Sequence, residues 1–313
     1  MSKKLIAVLG ATGSQGGGLV RSICAHPSGE FSARALTRNV NSEKARELAA
    51  LGAEVAACDV DDEASLRAAF DGAHGVYAVT FFWDHFSPEK ENQQAASIAA
   101  AAKAAQVRHV IWSTLEDSRK FIPLEDPRMP TLMGKYKVPH FDAKGESDAH
   151  FAGLPTTYLL TSFYWDNLII FGMGPKRGAD GKLVFTLPIG EAKFPQIAAE
   201  DIGRCAHGIF GKGESLIGKR VGVAGQHLTG AEMAAALSRT YGEEVAYFSP
   251  SFDAYRGFGF PGAEDLGNMF QFNHDFADAF CAARSLAFSR ELNPQLQSFD
   301  EWLAANKSKI PVG

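Results

Sequence analysis

Short runs of apolar and β-branched residues alternate with longer stretches of helical spacing up to about residue 110. Leu5–Leu9 reads as a strand, a glycine-rich turn follows, and Leu19, Val20, Ile23 and Cys24 then share one helix face. The same alternation predicts strands at Ala33–Thr37, Glu54–Ala57, Gly75–Thr80 and His109–Ser113. Between them it predicts helices over Ser42–Leu51, stopped by Gly52, and over Glu63–Phe70, capped by Asp61 or Asp62. A longer helix starts at Pro88 behind a Ser87 cap and runs to about Ala105. Strands without polar alternation, each followed by a helix, are the mark of a doubly wound parallel sheet. The expected fold class is α/β, a Rossmann-type doubly wound parallel sheet, with a smaller mixed α/β C-terminal lobe.

The second half is less regular. Phe121–Pro139, rich in Pro, Met and Lys, reads as a long loop, followed by a helix from about His140 to Phe151 and a strand at Thr156–Thr161. Short strands are expected near Leu183–Thr186 and Arg220–Val223, and helices over Ala199–Phe210 and from Thr229. Thr229-Gly-Ala-Glu232 and Ser298-Phe-Asp-Glu301 fit the reciprocal capping box, in which cap hydroxyl and acid each accept a backbone N–H. No linker separates the halves. The expected division is a Rossmann lobe over 1–155 and a smaller lobe over 156–313 that partly returns to the first sheet, together one compact molecule.

Composition narrows the class. The chain has 313 residues, 46% of them hydrophobic and 21% charged, which is globular and argues against disorder. A net charge of -5 argues against direct nucleic-acid binding, which needs a basic field. No run reaches the ~18 apolar residues of a membrane span. The apolar start up to Leu9 is interrupted by Gly10, so a buried strand is expected there instead of a signal peptide. Four scattered cysteines without a CxxC pair read as reduced thiols of a cytoplasmic protein, with nuclear entry left open.

The strongest local signal is Gly10-Ala-Thr12-Gly13-Ser14-Gln15-Gly16, placed between the first strand and the first helix. Glycines there permit a tight turn and let backbone N–H groups and the positive helix end meet a pyrophosphate. After the second strand stand Thr37 and Arg38, with Lys44 further on and no acid before Glu43. A guanidinium suits a ribose 2′-phosphate, which an acid would repel; one charge-assisted hydrogen bond contributes roughly 1.5–3 kcal/mol. NADPH is therefore favoured over NADH. Asp59-Val60, closing the third strand, reads equally as an adenine contact or a turn.

These segments, taken in order, resemble the NmrA-like family of atypical short-chain dehydrogenase/reductases. They are GATGSQGG at 10–17, LTRN at 36–39, GAEVAACDVDD at 52–62, HFDAKGE at 140–146, Asp166-Asn167, AAEDIG at 198–203 and FGFPGAEDLGNMFQF at 258–272. The last looks particularly like NADPH-sensing members. The resemblance implies a Rossmann-type fold and NADP(H) binding. In several members it implies a regulatory role instead of turnover; relatives of similar fold are true reductases of aromatic compounds.

Catalytic members of the wider superfamily use a Ser, and a Tyr and Lys spaced YxxxK, the Lys lowering the phenol's pKa. Here Ser113 and Thr114 end the fifth strand, and His140-Phe-Asp-Ala-Lys144 keeps the spacing with His in the tyrosine's place. Tyr136 lies eight residues before Lys144 and does not complete the motif. Lys144, His140 and Ser113 are thus the catalytic candidates, and the resemblance also places Lys144 at the cofactor. Thr80-Phe81-Phe82 at the end of strand four and Phe163-Tyr164-Trp165 after strand six are expected to cover the cofactor or line an aromatic pocket, with core packing the alternative, and Asn167 to hydrogen-bond within the same pocket. No metal-ligand spacing, GxSxG elbow or P-loop is present. The expected activity is NADPH sensing with little or no turnover, the alternative being reduction of a quinone, aromatic or other small carbonyl compound. A regulatory protein partner and a homodimer are compatible with either. The Phe121–Pro139 loop is the candidate moving element.

Overall fold

The protein is described here by a computed structural model covering residues 2–312. Its first strands are β1 (Lys4–Val8), β2 (Phe31–Thr37), β3 (Glu54–Ala57), β4 (Gly75–Ala78), β5 (His109–Thr114) and β6 (Thr156–Leu160). Then come β7 (Phe163–Tyr164), β8 (Lys176–Arg177), β9 (Leu183–Thr186), β10 (Phe194–Ile197), β11 (Arg220–Gly222), β12 (Gln226–Leu228) and β13 (Val245–Phe248). The helices that matter below are α1 (Ser14–Cys24), α2 (Glu43–Ala50), α3 (Glu63–Phe70), α4 (Phe82–His85), α5 (Pro88–Ala104) and α6 (Pro139–Phe151). They continue with α7 (Asn167–Ile170), α8 (Ala199–Lys212), α9 (Gly230–Tyr241), α10 (Phe252–Arg256) and α11 (Ala263–Asp275).

Seven parallel strands form the main sheet in the order β11-β6-β5-β4-β1-β2-β3. Succession runs one way from β1 to β3 and the other way from β4 outward. The crevice beyond the carboxyl ends of β1 and β4 is therefore the topological switch point, where such sheets take their ligands. Both β6 and β11, which follow residue 155, belong to this sheet, with β11 at its edge. Two three-stranded sheets, β12-β10-β7 and β13-β9-β8, make the mixed remainder.

Local chemistry fixes the helix starts. Asp62, not Asp61, caps α3 by accepting from Ala64 N and Ser65 N. Ser87 caps α5 ahead of Pro88, and both capping boxes form, Thr229 with Glu232 and Ser298 with Glu301. Helices α1 and α8 touch through their glycines: a Cβ on Gly18 would lie 2.5 Å from the Glu200 carbonyl oxygen, and one on Gly203 would overlap the Leu19 backbone. The glycine of the AAEDIG segment is thus a close-approach residue.

One apolar core lies on the main sheet and includes Ile6, Val8, Leu19, Ile111, Leu159 and Ile202. A second joins Leu115, Ile122 and Phe141 to Phe163, Trp165 and Phe270, so it draws on both halves of the chain. The Phe121–Pro139 loop lies against this core. Buried Lys137 sends its Nζ to the carbonyls of Asp126 (2.9 Å) and Met129 (2.6 Å). From α11, Asn268 and Gln271 hold the loop carbonyls of Pro130, Lys137 and Arg128. At its tip Met133 is 61% exposed. The four cysteines are free thiols, and no helix among the described residues is long and apolar enough to cross a membrane.

Candidate functional site

The glycine turn has the shape its sequence calls for. Gly10 sits at φ +63°, and a Cβ on Gly16 would lie 2.5 Å from the Gly10 carbonyl oxygen. Gly13, the N-cap of α1, offers no side chain, so the first N–H groups of the helix are left to an external acceptor. Such a cradle fits a dinucleotide pyrophosphate. Thr12, Ser14 and Gln15 surround it and are half-buried.

Arg38 stands beyond β2 with its side chain 72% exposed, 3.3 Å from one Asp84 carboxylate oxygen. Thr37 Oγ1 accepts from Asn39 N, which shapes the turn that presents Arg38, and Lys44 is exposed on α2. Asp59 takes the turn role left open by the sequence: its Oδ1 accepts from Asp61 N at 3.0 Å, beside buried Val60.

Gln15 reaches from the cradle to the strand ends. Its Oε1 accepts from Ser113 Oγ (2.8 Å) and from the Tyr77 hydroxyl, and its Nε2 donates to the Tyr164 hydroxyl. Ser113 and Gln15 are thus brought together, Tyr164 of the aromatic strand end joins them, and so does Tyr77, which the sequence reading did not name. Burial pushes the Tyr164 phenol up to about 12 and the Tyr77 phenol higher still. Both shifts run opposite to the one that activates a proton-donating tyrosine.

Lys144 is committed to a neighbour that sequence reading missed. Its Nζ lies 2.7 Å from Glu91 Oε1 and donates to Thr80 Oγ1 at 2.7 Å, with the Trp112 ring 5.4 Å away. Glu91 is fully buried on α5, and Thr80 also donates to it. Burial alone would raise the Glu91 carboxyl, but Lys144, His85 and Thr80 outweigh it and hold the group at about 2. A signal existed: Glu91 falls at helical spacing with Ala95, Ile98 and Ala102, the buried face of α5.

His140 is buried at the start of α6. Its Nδ1 lies 2.7 Å from Asp265 Oδ1, and its backbone N donates to Asp265 Oδ2. The ring packs against Phe82, Trp83 and Phe141. Both motif side chains therefore meet the segment after β4, Lys144 at Thr80 and His140 at Phe82 and Trp83, yet each is held by an acid from a different helix. Beside the His140–Asp265 pair opens a cavity of about 470 Å³, walled by Phe82, Phe86, Met133, Phe260 and the start of α11. Tyr136 is buried elsewhere, between the cations of Arg119 and Lys135.

Alternation along β7 separates two further candidates. Tyr164 turns to Gln15, whereas Phe163 turns to the second core, against Phe194 and Phe270. Phe163 is thus a core ring and is not brought to the glycine turn. Phe81 does reach the turn, its ring 3.2 Å from where a Gly10 Cβ would stand. Asn167 opens α7, half-buried, while its neighbour Asp166 accepts from Ala199 N at 2.8 Å and so caps α8 from outside. Among the described residues no cluster of His, Cys, Asp and Glu could hold a metal ion.

Comparison with known proteins identifies the family and the fold. The model of the NmrA-like family matches residues 2–303. An NmrA-like family domain-containing oxidoreductase, FrzB of a Cladobotryum species, is 30% identical over 282 residues, covering 86% of this chain and 83% of its own. An NAD(P)H azoreductase of Xenophilus azovorans is 30% identical over 262 residues, 82% of each chain. The crystal structure of NmrA, a negative transcriptional regulator, in complex with NADP superimposes with a TM-score of 0.75 at 22% identity, covering 96% of this chain and 94% of that one.

Proposed function

This chain belongs to the NmrA-like family, and from that premise we propose that it binds NADP(H) as a redox-responsive regulator with little or no dehydrogenase turnover. The glycine cradle would hold the pyrophosphate through backbone N–H groups, and Arg38 would meet the 2′-phosphate. The bound nicotinamide would supply the redox chemistry that is sensed. The observation that carries the low-turnover reading is the pairing of Lys144 with buried Glu91: an ammonium neutralised at 2.7 Å cannot strongly lower the pKa of a neighbouring acid. Tied to Asp265, His140 is held in the tyrosine's place, and the nearby phenols of Tyr77 and Tyr164 are raised instead of lowered. A regulatory protein, or a second copy of the chain, would read the cofactor's state.

Calorimetric titration with NADPH, NADP+ and NADH, repeated on Arg38→Ala, tests the cofactor part. The expected loss of NADPH affinity in the variant is about 10- to 150-fold, with NADH little affected. No sustained NADPH consumption is expected with quinones, azo dyes or small carbonyl compounds. Turnover to a defined product would replace this reading by NADPH-dependent reduction. That second reading has its own support in the aromatic-walled cavity beside His140 and in the oxidoreductase relatives. It requires that Lys144→Ala abolish the activity.

A further inference from the structure

Glu91 does more than neutralise a lysine, because of where the pair stands. Reversal of strand order between β1 and β4 sets a bound dinucleotide across the carboxyl ends of the sheet. With its pyrophosphate on Gly10–Gly16 and one nucleoside toward Arg38, the other half would lie toward β4, β5 and β6. Thr80, Ser113, Lys144 and Tyr164 gather at that end. The two oxidation states of a nicotinamide differ there by one unit of charge: the NADP+ ring is cationic and the NADPH ring is neutral. Any fixed charge near the ring therefore binds the two states unequally.

The cluster around Glu91 is balanced to zero. Oε1 faces the Lys144 ammonium at 2.7 Å and accepts from Thr80 at 2.5 Å. Oε2 lies 3.5 Å from His85 Nε2, and neither of these two buried atoms has a hydrogen-bond partner. Ser87 N donates to His85 Nδ1 at 3.0 Å, which places the ring proton on Nε2 and leaves the imidazole neutral. One ammonium, one carboxylate and a neutral ring remain. Glu91 is fully buried and Lys144 is 12% exposed, so solvent screens them little.

Resting on the NADP(H) reading above, we infer that Glu91 sets the relative affinity of the site for the two oxidation states. By cancelling the charge of Lys144 it lets the cationic NADP+ ring bind where an unpaired lysine would repel it. Lys144 alone would bias the site toward NADPH, and Glu91 alone toward NADP+.

The test is the ratio Kd(NADP+)/Kd(NADPH), measured by calorimetry at pH 7 on the full chain and on Glu91→Gln, Lys144→Gln and the double variant. Glutamine keeps hydrogen-bonding capacity at each position while removing the charge. Glu91→Gln is expected to raise the ratio about tenfold, by the charge it uncovers. A tenfold rise equals an upward shift of about 30 mV in the midpoint potential of the bound two-electron couple. Lys144→Gln is expected to lower the ratio by a similar factor, and the double variant to return within about twofold of wild type. A ratio unmoved in both single variants, or equal weakening of both cofactors, would overturn the inference and leave Glu91 a structural partner only. Should Glu91→Gln fail to fold, as read by thermal unfolding, the Lys144→Gln ratio decides alone. Wild type that binds neither cofactor defeats the NADP(H) reading and this inference together. Wild type that binds both, with a ratio no variant moves, defeats this inference only.

Discussion

Arg38 and Lys144 mark the two ends of one crevice and are built in opposite ways. Arg38 is 72% exposed, stands after a strand and shares a single exposed aspartate. Lys144 is 12% exposed, lies on a helix and is fixed by a carboxylate, a hydroxyl and an aromatic face. At the first end the fold contributes shape and leaves charge free for a ligand. At the second it has matched its charges before any ligand arrives. An exposed charge can be given wholly to a ligand because little is lost when its weak partner is released. A buried pair cannot be released cheaply, so it acts through its net field.

The contrast can be broken most severely at the buried end. Glu91→Leu strands the Lys144 ammonium and is expected to cost about 3–5 kcal/mol of stability in denaturant unfolding. Acid should dissolve the same end selectively. The Glu91 carboxyl is held at about 2 against an ordinary 4.5, so its contribution is complete above pH 4.5 and fades as pH falls toward 2. The stability difference between wild type and Glu91→Gln should shrink over that window, and a difference constant with pH would refute the assignment. At the open end, Gly16→Ala forces a Cβ against the Gly10 carbonyl and is expected to cost about 1–3 kcal/mol, with cofactor binding lost. The smallest effect belongs to Asp84→Asn, which frees Arg38 from an exposed pair. NADPH affinity should rise by no more than about 1 kcal/mol, and less in high salt, with unfolding unchanged.

The open end was the legible one. Its glycines, Arg38 and the strands around them are local features, and local periodicity and turn chemistry disclose them. The caps were legible for the same reason: Ser87, Thr229 and Ser298 each act within three residues of themselves. Which of Asp61 and Asp62 caps α3, and whether Asp59 is a turn residue, needed only backbone geometry to decide. The buried end depends on partners far apart in the chain. Asp265 meets His140 across 125 residues, and Tyr164 meets Gln15 across 149. No spacing rule reaches that far. Phe163 shows the limit at close range, since a two-residue strand gives no alternation from which to tell its inward face from its outward one.

Helix α6 gives the two grips on this crevice a mechanical meaning. Asp265 holds it at His140, and one turn along Glu91 holds it at Lys144, about 6 Å further down the axis. A hydrogen-bonded helix is a stiff rod at that length, so the two anchorages cannot shift independently. Asp265 in turn lies on α11, whose Asn268 and Gln271 lace down the 121–139 loop. One run of contacts thus leads from the crevice to the loop, with Asp265 as its middle link.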